Sequence, residues 1–252
     1  MSTVLQVSGL SRRFGGIVVA DNIELELRAG EIVGIIGPNG AGKTTLFNLL
    51  TGFVAPDRGA ITLLNQRIER LAPHRRAACG IARTWQSPRL FASLSVLDNL
   101  LVADRDYPGG SLTQSLFRPR HVSAAGNAAR RRAERLLDRA GLLARADALA
   151  TRLSYGQQKL VGLMRALMNE GRCLLLDEPM AGVEGRVHDT MQAIIREQAA
   201  DGKAICIVEH NVRFVRDLCT RAAFMFAGSM IASGSVDELV ADKRLTALYF
   251  GG

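Results

Sequence analysis

A chain of 252 residues with 48% hydrophobic composition can bury a sizeable core, which excludes a disordered chain and implies a globular protein of one large or two small domains. Lys and Arg exceed Asp and Glu by 32 to 24. That balance suits phosphate, nucleic acid or an anionic membrane surface, but the surplus is arginine spread along the chain, with Arg130, Arg131 and Arg132 the one run of three, and it reads as a solvated surface. The cysteines Cys79, Cys173, Cys206 and Cys219 form no C-x-x-C pair, "MSTVLQVSGLSRRF" lacks the apolar core of a signal peptide, and the longest charge-free stretch, 15 residues from Ala222 to Val236, is too short and polar to span a bilayer. Reduced thiols in a cytosolic protein are expected, and any link to a membrane must run through a partner.

In chain order, "VLQV" near the start, "NIELELRAG" at 22–30 and "AITLLN" at 60–65 read as half-buried strands; the second alternates Ile23, Leu25 and Leu27 with Glu24, Glu26 and Arg28. An antiparallel β portion is therefore predicted near the N-terminus. "EIVGIIG", "RCLLLDEP" and "AICIVEH" are continuous apolar runs, each followed by a helical pattern, as buried parallel strands are. Between Ser87 and Gly171 no strand is predicted. Ser95 with Asp98 caps "SVLDNLLVA", and Ala129, Ala133, Leu136, Leu137 and Ala140 form a helical stripe whose other face carries arginines. The middle of this helical insert, 104–123, is rich in Pro, Gly and Ser and reads as a loop.

"GPNGAGKTT" at 37–45 fits G-x-x-x-x-G-K-[ST] between an apolar strand and a helix. Glycines at Gly37, Gly40 and Gly42 let the backbone N–H groups of the loop, through Asn39 and Ala41 to Thr45, curl around a β-phosphate, while Lys43 neutralises β/γ oxygens and the Thr44 hydroxyl coordinates Mg²⁺. "CLLLDE" places Asp177 and Glu178 at the carboxyl end of a buried strand, where α/β proteins bind ligands. Asp177 is expected to hold Mg²⁺ through water, and Glu178 to orient or deprotonate the water attacking the γ-phosphate. A kinase or GTPase could share these features. "LSYGQQ" at 153–158 reads locally as a helix start capped by Ser154, with exposed N–H groups able to bind an anion.

The order of P-loop, helical insert, "LSYGQQ", "LLLDEP" and "IVEH" resembles the ATP-binding subunit of ABC transporters over nearly the full chain. The resemblance implies a single ABC ATPase domain over 1–252, with 1–86 and 171–252 as α/β core plus antiparallel portion and 87–170 as the helical insert. It implies ATP and Mg²⁺ as cofactors. Ser154, Gly156 and Gln157 then contact ATP held by an opposing subunit's P-loop, Gln86 in "ARTWQSP" senses Mg²⁺ or the attacking water, His210 contacts the γ-phosphate, and Phe14 in "RRFGG" stacks on adenine. Three departures stand out: Tyr155 replaces the signature's first Gly, Glu184 stands where an Asp is usual with no Pro after it, and Asn211 follows the histidine where an acid is common.

"GIARTWQSPRLFASLSVLDNLLVA", "MAGVE", Tyr155 and the tail "LYFGG" look like the branched-chain amino acid type of ABC importer. That implies a second ATP-binding subunit, two transmembrane permease subunits, an extracytoplasmic solute-binding protein, and a place at the cytoplasmic face of the membrane, with no nucleic acid partner. Systems for urea, amides or other carboxylates, a soluble ABC ATPase acting on nucleic acid or ribosomes, and a nucleotide-gated interaction module remain open alternatives.

Overall fold

The computed structural model describes residues 2–104 and 119–250, without the side chains of 119–124 and 250. It divides into two compact units: Met1–Arg83 with Gly171–Pro179 and Ile195–Gly252, and Thr84–Glu170 with Met180–Ile194.

In the first unit, β1 (Thr3–Phe14), β2 (Ile17–Arg28), β4 (Arg58–Leu63) and β5 (Gln66–Arg67) form an antiparallel sheet in the order β2-β1-β4-β5. Alternation sets its register: Leu5 pairs with Leu27 on one side and Leu63 on the other, and Val7 with Leu25 and Ile61, so one face is wholly apolar. A second sheet contains β3 (Ile32–Ile36), β6 (Ile81–Arg83), β7 (Cys173–Asp177), β8 (Ala204–Val208), β9 (Arg221–Phe226) and β10 (Ser229–Gly234), in the order β10-β9-β3-β8-β7-β6. All of its neighbours are parallel except the β9/β10 hairpin. Every residue of β3, β7 and β8 is buried, which is why these segments lack polar alternation.

Helix α1 (Lys43–Thr51) lies in the apolar cluster shared by the sheets, with Leu46, Phe47, Leu49 and Leu50 buried among Leu5, Leu27, Ile61, Val33, Leu175 and Cys206. Each such side chain contributes about 1.5–3 kcal/mol by leaving water. The C-terminus of α1 meets Arg76, on α2 (Pro73–Cys79), whose guanidinium is buried and donates to the carbonyls of Leu49 (2.6 Å), Leu50 (3.0 Å), Glu69 (2.7 Å) and Leu71 (2.9 Å). A buried arginine here supplies donors to helix-end carbonyls that have no partner within the helix.

The second unit carries α3 (Val96–Leu101), α4 (Pro119–Arg139) and α5 (Tyr155–Leu167), and the first part of α6 (Gly185–Ala200). Ser95 accepts from the Asp98 N–H at 3.0 Å, as its spacing predicts. Ala129, Ala133, Leu137 and Ala140 are buried, while Arg132 bonds Asp104 at 2.7 Å and Glu170 at 2.8 Å. Among the described residues this unit has no strand, only a bridge between Ser95 and Leu149.

Two expectations are corrected. Most of the loop expected over 104–123 lies outside the described residues, but 119–123 is helical, with Pro119 in a first-turn position that needs no N–H. The arginine surplus is not all solvated: besides Arg76, the Arg83 side chain is 4% exposed.

Candidate functional site

Adjacency of β3, β8 and β7 brings three loops together at the carboxyl ends of parallel strands. The loop after β3 is fixed by backbone crowding. Gly37 has φ +152° and an added Cβ would lie 2.0 Å from the Met225 carbonyl oxygen; Gly42 has φ +104° and its Cβ would lie 2.6 Å from the Val19 carbonyl oxygen. No side chain fits at either position, so the spacing of the motif is enforced by β9 and β2 as well as by its ligand. Asn39 and Gly40 are exposed, Ala41 is buried, and α1 starts at Lys43 with Thr44 and Thr45 in its first turn.

Lys43 is buried and folds back over the loop, donating through Nζ to the carbonyls of Gly37 (2.6 Å) and Pro38 (2.9 Å). Burial lowers its pKa, and the charges of Glu178 and Asp177 push it back up. A cation so placed is poised to exchange two carbonyls for phosphate oxygens.

Asp177 closes β7, 3% exposed, and its Oδ2 accepts from Arg83 at 2.8 Å. Glu178 follows with φ +44°, and its N–H donates to the Val208 carbonyl at 2.9 Å, which joins the ends of β7 and β8. An acidic residue held in the left-handed region carries local strain of about 1–3 kcal/mol, of the sort found at functional positions. His210 Nδ1 lies 3.9 Å from Glu178 Oε1 and 3.9 Å from Glu209 Oε2, with its side chain 55% exposed. Asn211 caps α7 (Val212–Leu218) by accepting from the Phe214 N–H at 3.2 Å, a local reason for an amide where an acid is usual. Thr44 and Asp177 are hard oxygen donors of the kind Mg²⁺ takes alongside water and substrate phosphate, so the donor set fits that ion. Phe14 ends β1, 45% exposed, with the Arg12 guanidinium 4.8 Å from its ring centre.

The remaining predicted residues lie in the second unit. Gln86 is exposed, in a segment whose far end is anchored by buried Asn99: its Oδ1 accepts from the Phe91 N–H at 2.8 Å and its Nδ2 donates to the Phe91 carbonyl at 3.1 Å. Ser154 begins α5 with a full capping box, its Oγ accepting from the Gln157 N–H at 3.3 Å and the Gln157 Oε1 from the Ser154 N–H at 3.1 Å. The Tyr155 ring, unexplained by the sequence, lies against Gly182 (φ +70°), where a Cβ would approach it to 3.0 Å. Gly185 has φ +58°, a value proline cannot adopt, which accounts for the missing Pro after Glu184. Sequence reasoning missed Arg83 because an arginine before the "TWQ" segment carries no mark of burial.

An antiparallel sheet, a parallel sheet with a phosphate loop on an inner strand, and a separate helical unit together define an ATP-binding cassette. Residues 20–181 match the family described as ABC transporter, and the chain belongs to that family. It is thus an ABC ATPase. LivG of Salmonella typhimurium, a high-affinity branched-chain amino acid transport ATP-binding protein, is 36% identical over 249 residues, 98% of each chain. LptB of Acidithiobacillus ferridurans, a lipopolysaccharide export system ATP-binding protein, is 34% identical over 251 residues, 100% of this chain and 98% of the relative. A crystal structure of the ADP conformation of an ABC transporter cassette is similar at TM-score 0.84 and 30% identity, covering 100% of both chains. Among the described residues no helix is long and apolar enough to cross a membrane.

Proposed function

We propose that this chain powers an importer of branched-chain or related amino acids, as one of two ATP-binding subunits on the cytoplasmic face of two permease subunits served by an extracytoplasmic binding protein. The observation that carries the reading is end-to-end likeness to LivG, 98% of both chains, in a sequence with Tyr155 in the signature. The burial of Arg76 among carbonyls supports it against a nucleic acid partner, since that positive charge is internal and not part of a basic surface.

The loop amides from Gly37 to Thr45 cradle the β-phosphate, and Lys43 transfers its hydrogen bonds to β/γ oxygens. Thr44 and Asp177 would hold Mg²⁺ and Gln86 would sense it or the attacking water; when bound, the ion would supply positive charge against the nucleotide's phosphate oxygens. Glu178 orients and deprotonates the attacking water, His210 donates to the γ-phosphate, and Phe14 stacks on adenine. Ser154, Gly156 and Gln157 reach the γ-phosphate of a nucleotide on the opposing subunit. Gly156 supports this assignment: its φ is not left-handed and an added Cβ would meet Val187 at an ordinary 3.5 Å, so packing within the chain does not require a glycine there. ATP then closes the pair of subunits, and hydrolysis reopens it.

Glu178→Gln tests the chemistry. ATP binding and the closed pair should persist while turnover falls about 10²- to 10⁴-fold, the usual contribution of a general base. An unaltered hydrolysis rate would remove Glu178 from that role.

A further inference from the structure

Arg83 bridges the phosphate-loop helix to the metal-side carboxylate. It closes β6, next to β7 in the sheet, and its two terminal nitrogens point to different elements. NH2 donates to Asp177 Oδ2 at 2.8 Å, while NH1 donates to Asn48 Oδ1 at 2.7 Å and Thr51 Oγ1 at 3.2 Å, both on α1. The guanidinium lies 5.5 Å from the centre of the Phe47 ring, and the side chains of Arg83 and Asp177 are each 4% exposed. Thr51 is itself fixed, donating to the Phe47 carbonyl at 2.6 Å. Such a pair has given up solvation, and a planar fork spanning two elements constrains a carboxylate as a lysine's single ammonium cannot.

We propose that Arg83 is a positioning residue for Asp177: it orients the carboxylate toward the metal and couples that orientation to α1, the helix whose first turn holds Lys43 and Thr44. The inference rests on the reading of Asp177 as a metal-side residue. A chain with an aligned carboxylate binds Mg²⁺ with its nucleotide more tightly than one whose carboxylate must be oriented during binding. Groups that hold a metal-binding side chain in place typically change metal affinity or activity about 10- to 100-fold when removed.

The test is nucleotide titration of the full chain with a fluorescent ATP analogue, in EDTA and across a Mg²⁺ series. Arg83→Lys keeps the charge but not the bridge. It should leave metal-free nucleotide affinity within about threefold while raising the Mg²⁺ concentration at half-effect by about 10- to 100-fold. An unchanged Mg²⁺ half-effect, or an equal loss of affinity in EDTA, overturns the proposal. Asp177→Asn separates the two levels: if it shifts the half-effect and Arg83→Lys does not, only the role of Arg83 falls; if neither shifts it, the metal-side reading of Asp177 falls as well. Should Arg83→Lys fail to fold, Asn48→Ala removes one anchor of the guanidinium. A smaller shift in the same direction supports the proposal, and no shift overturns it.

Discussion

Lys43 carries its charge where burial opposes it, with Asp177 and Glu178 restoring part of what desolvation removes. On the proposed reading the protonated ammonium binds phosphate, so nucleotide affinity should be lost as pH rises through the Lys43 pKa of the free chain. Because that pKa is lowered, the decline should begin below the ordinary lysine range. ADP titrations from neutral to alkaline pH check this, with Lys43→Ala expected to bind about 10- to 100-fold more weakly at neutral pH, the worth of a charge-assisted hydrogen bond, and to show no alkaline decline. Equal pH profiles for the two chains would remove Lys43 as the phosphate cation. At this scale the placing of "GPNGAGKTT" between a buried strand and a helix was legible, and its Gly37 and Gly42 stand where no side chain fits. Arg76 and Arg83 were not legible, since the partners that let an arginine be buried, helix-end carbonyls and a carboxylate on another strand, are distant in sequence.

Strands with strict alternation or continuous apolar character were readable as elements, because burial of one face or both leaves a period in the sequence. β6 is three residues long and β10 is an edge strand in which Met230, Ile231 and Ala232 are flanked by Ser229, Ser233 and Gly234, and neither length nor pattern distinguishes such segments from loop. The α1 end was also invisible, although α1 positions the phosphate loop. Arg76→Met tests its support: the apolar stem is preserved while four carbonyls lose the guanidinium, of which Leu49 keeps the Gly52 N–H at 3.4 Å. A destabilisation of about 2–4 kcal/mol is expected in denaturant unfolding, from buried acceptors left unsatisfied, with an unchanged slope. A loss below about 1 kcal/mol would mean that water or neighbouring donors replace the guanidinium.

Across the whole molecule, motif order sufficed to indicate an ABC cassette, because the chemistry fixes which loop follows which strand. Tyr155 was opaque, since its contact is a glycine in a segment 27 positions away, Gly182. The proposed site shared with another subunit is what a single chain's sequence expresses least, and Gly156 offers the means to test it. An aspartate there stands in the first turn of α5, where negative charge suits the helix dipole, and its Cβ enters at ordinary contact distance from Val187. The fold should therefore tolerate Gly156→Asp within about 1 kcal/mol, and ATP affinity of the isolated chain should be unchanged. Turnover in the assembled transporter should fall by at least about 100-fold, as a carboxylate is forced against the γ-phosphate of the opposing subunit. Weakened ATP binding by the isolated, folded variant would place that phosphate on the chain's own loop and refute the shared site.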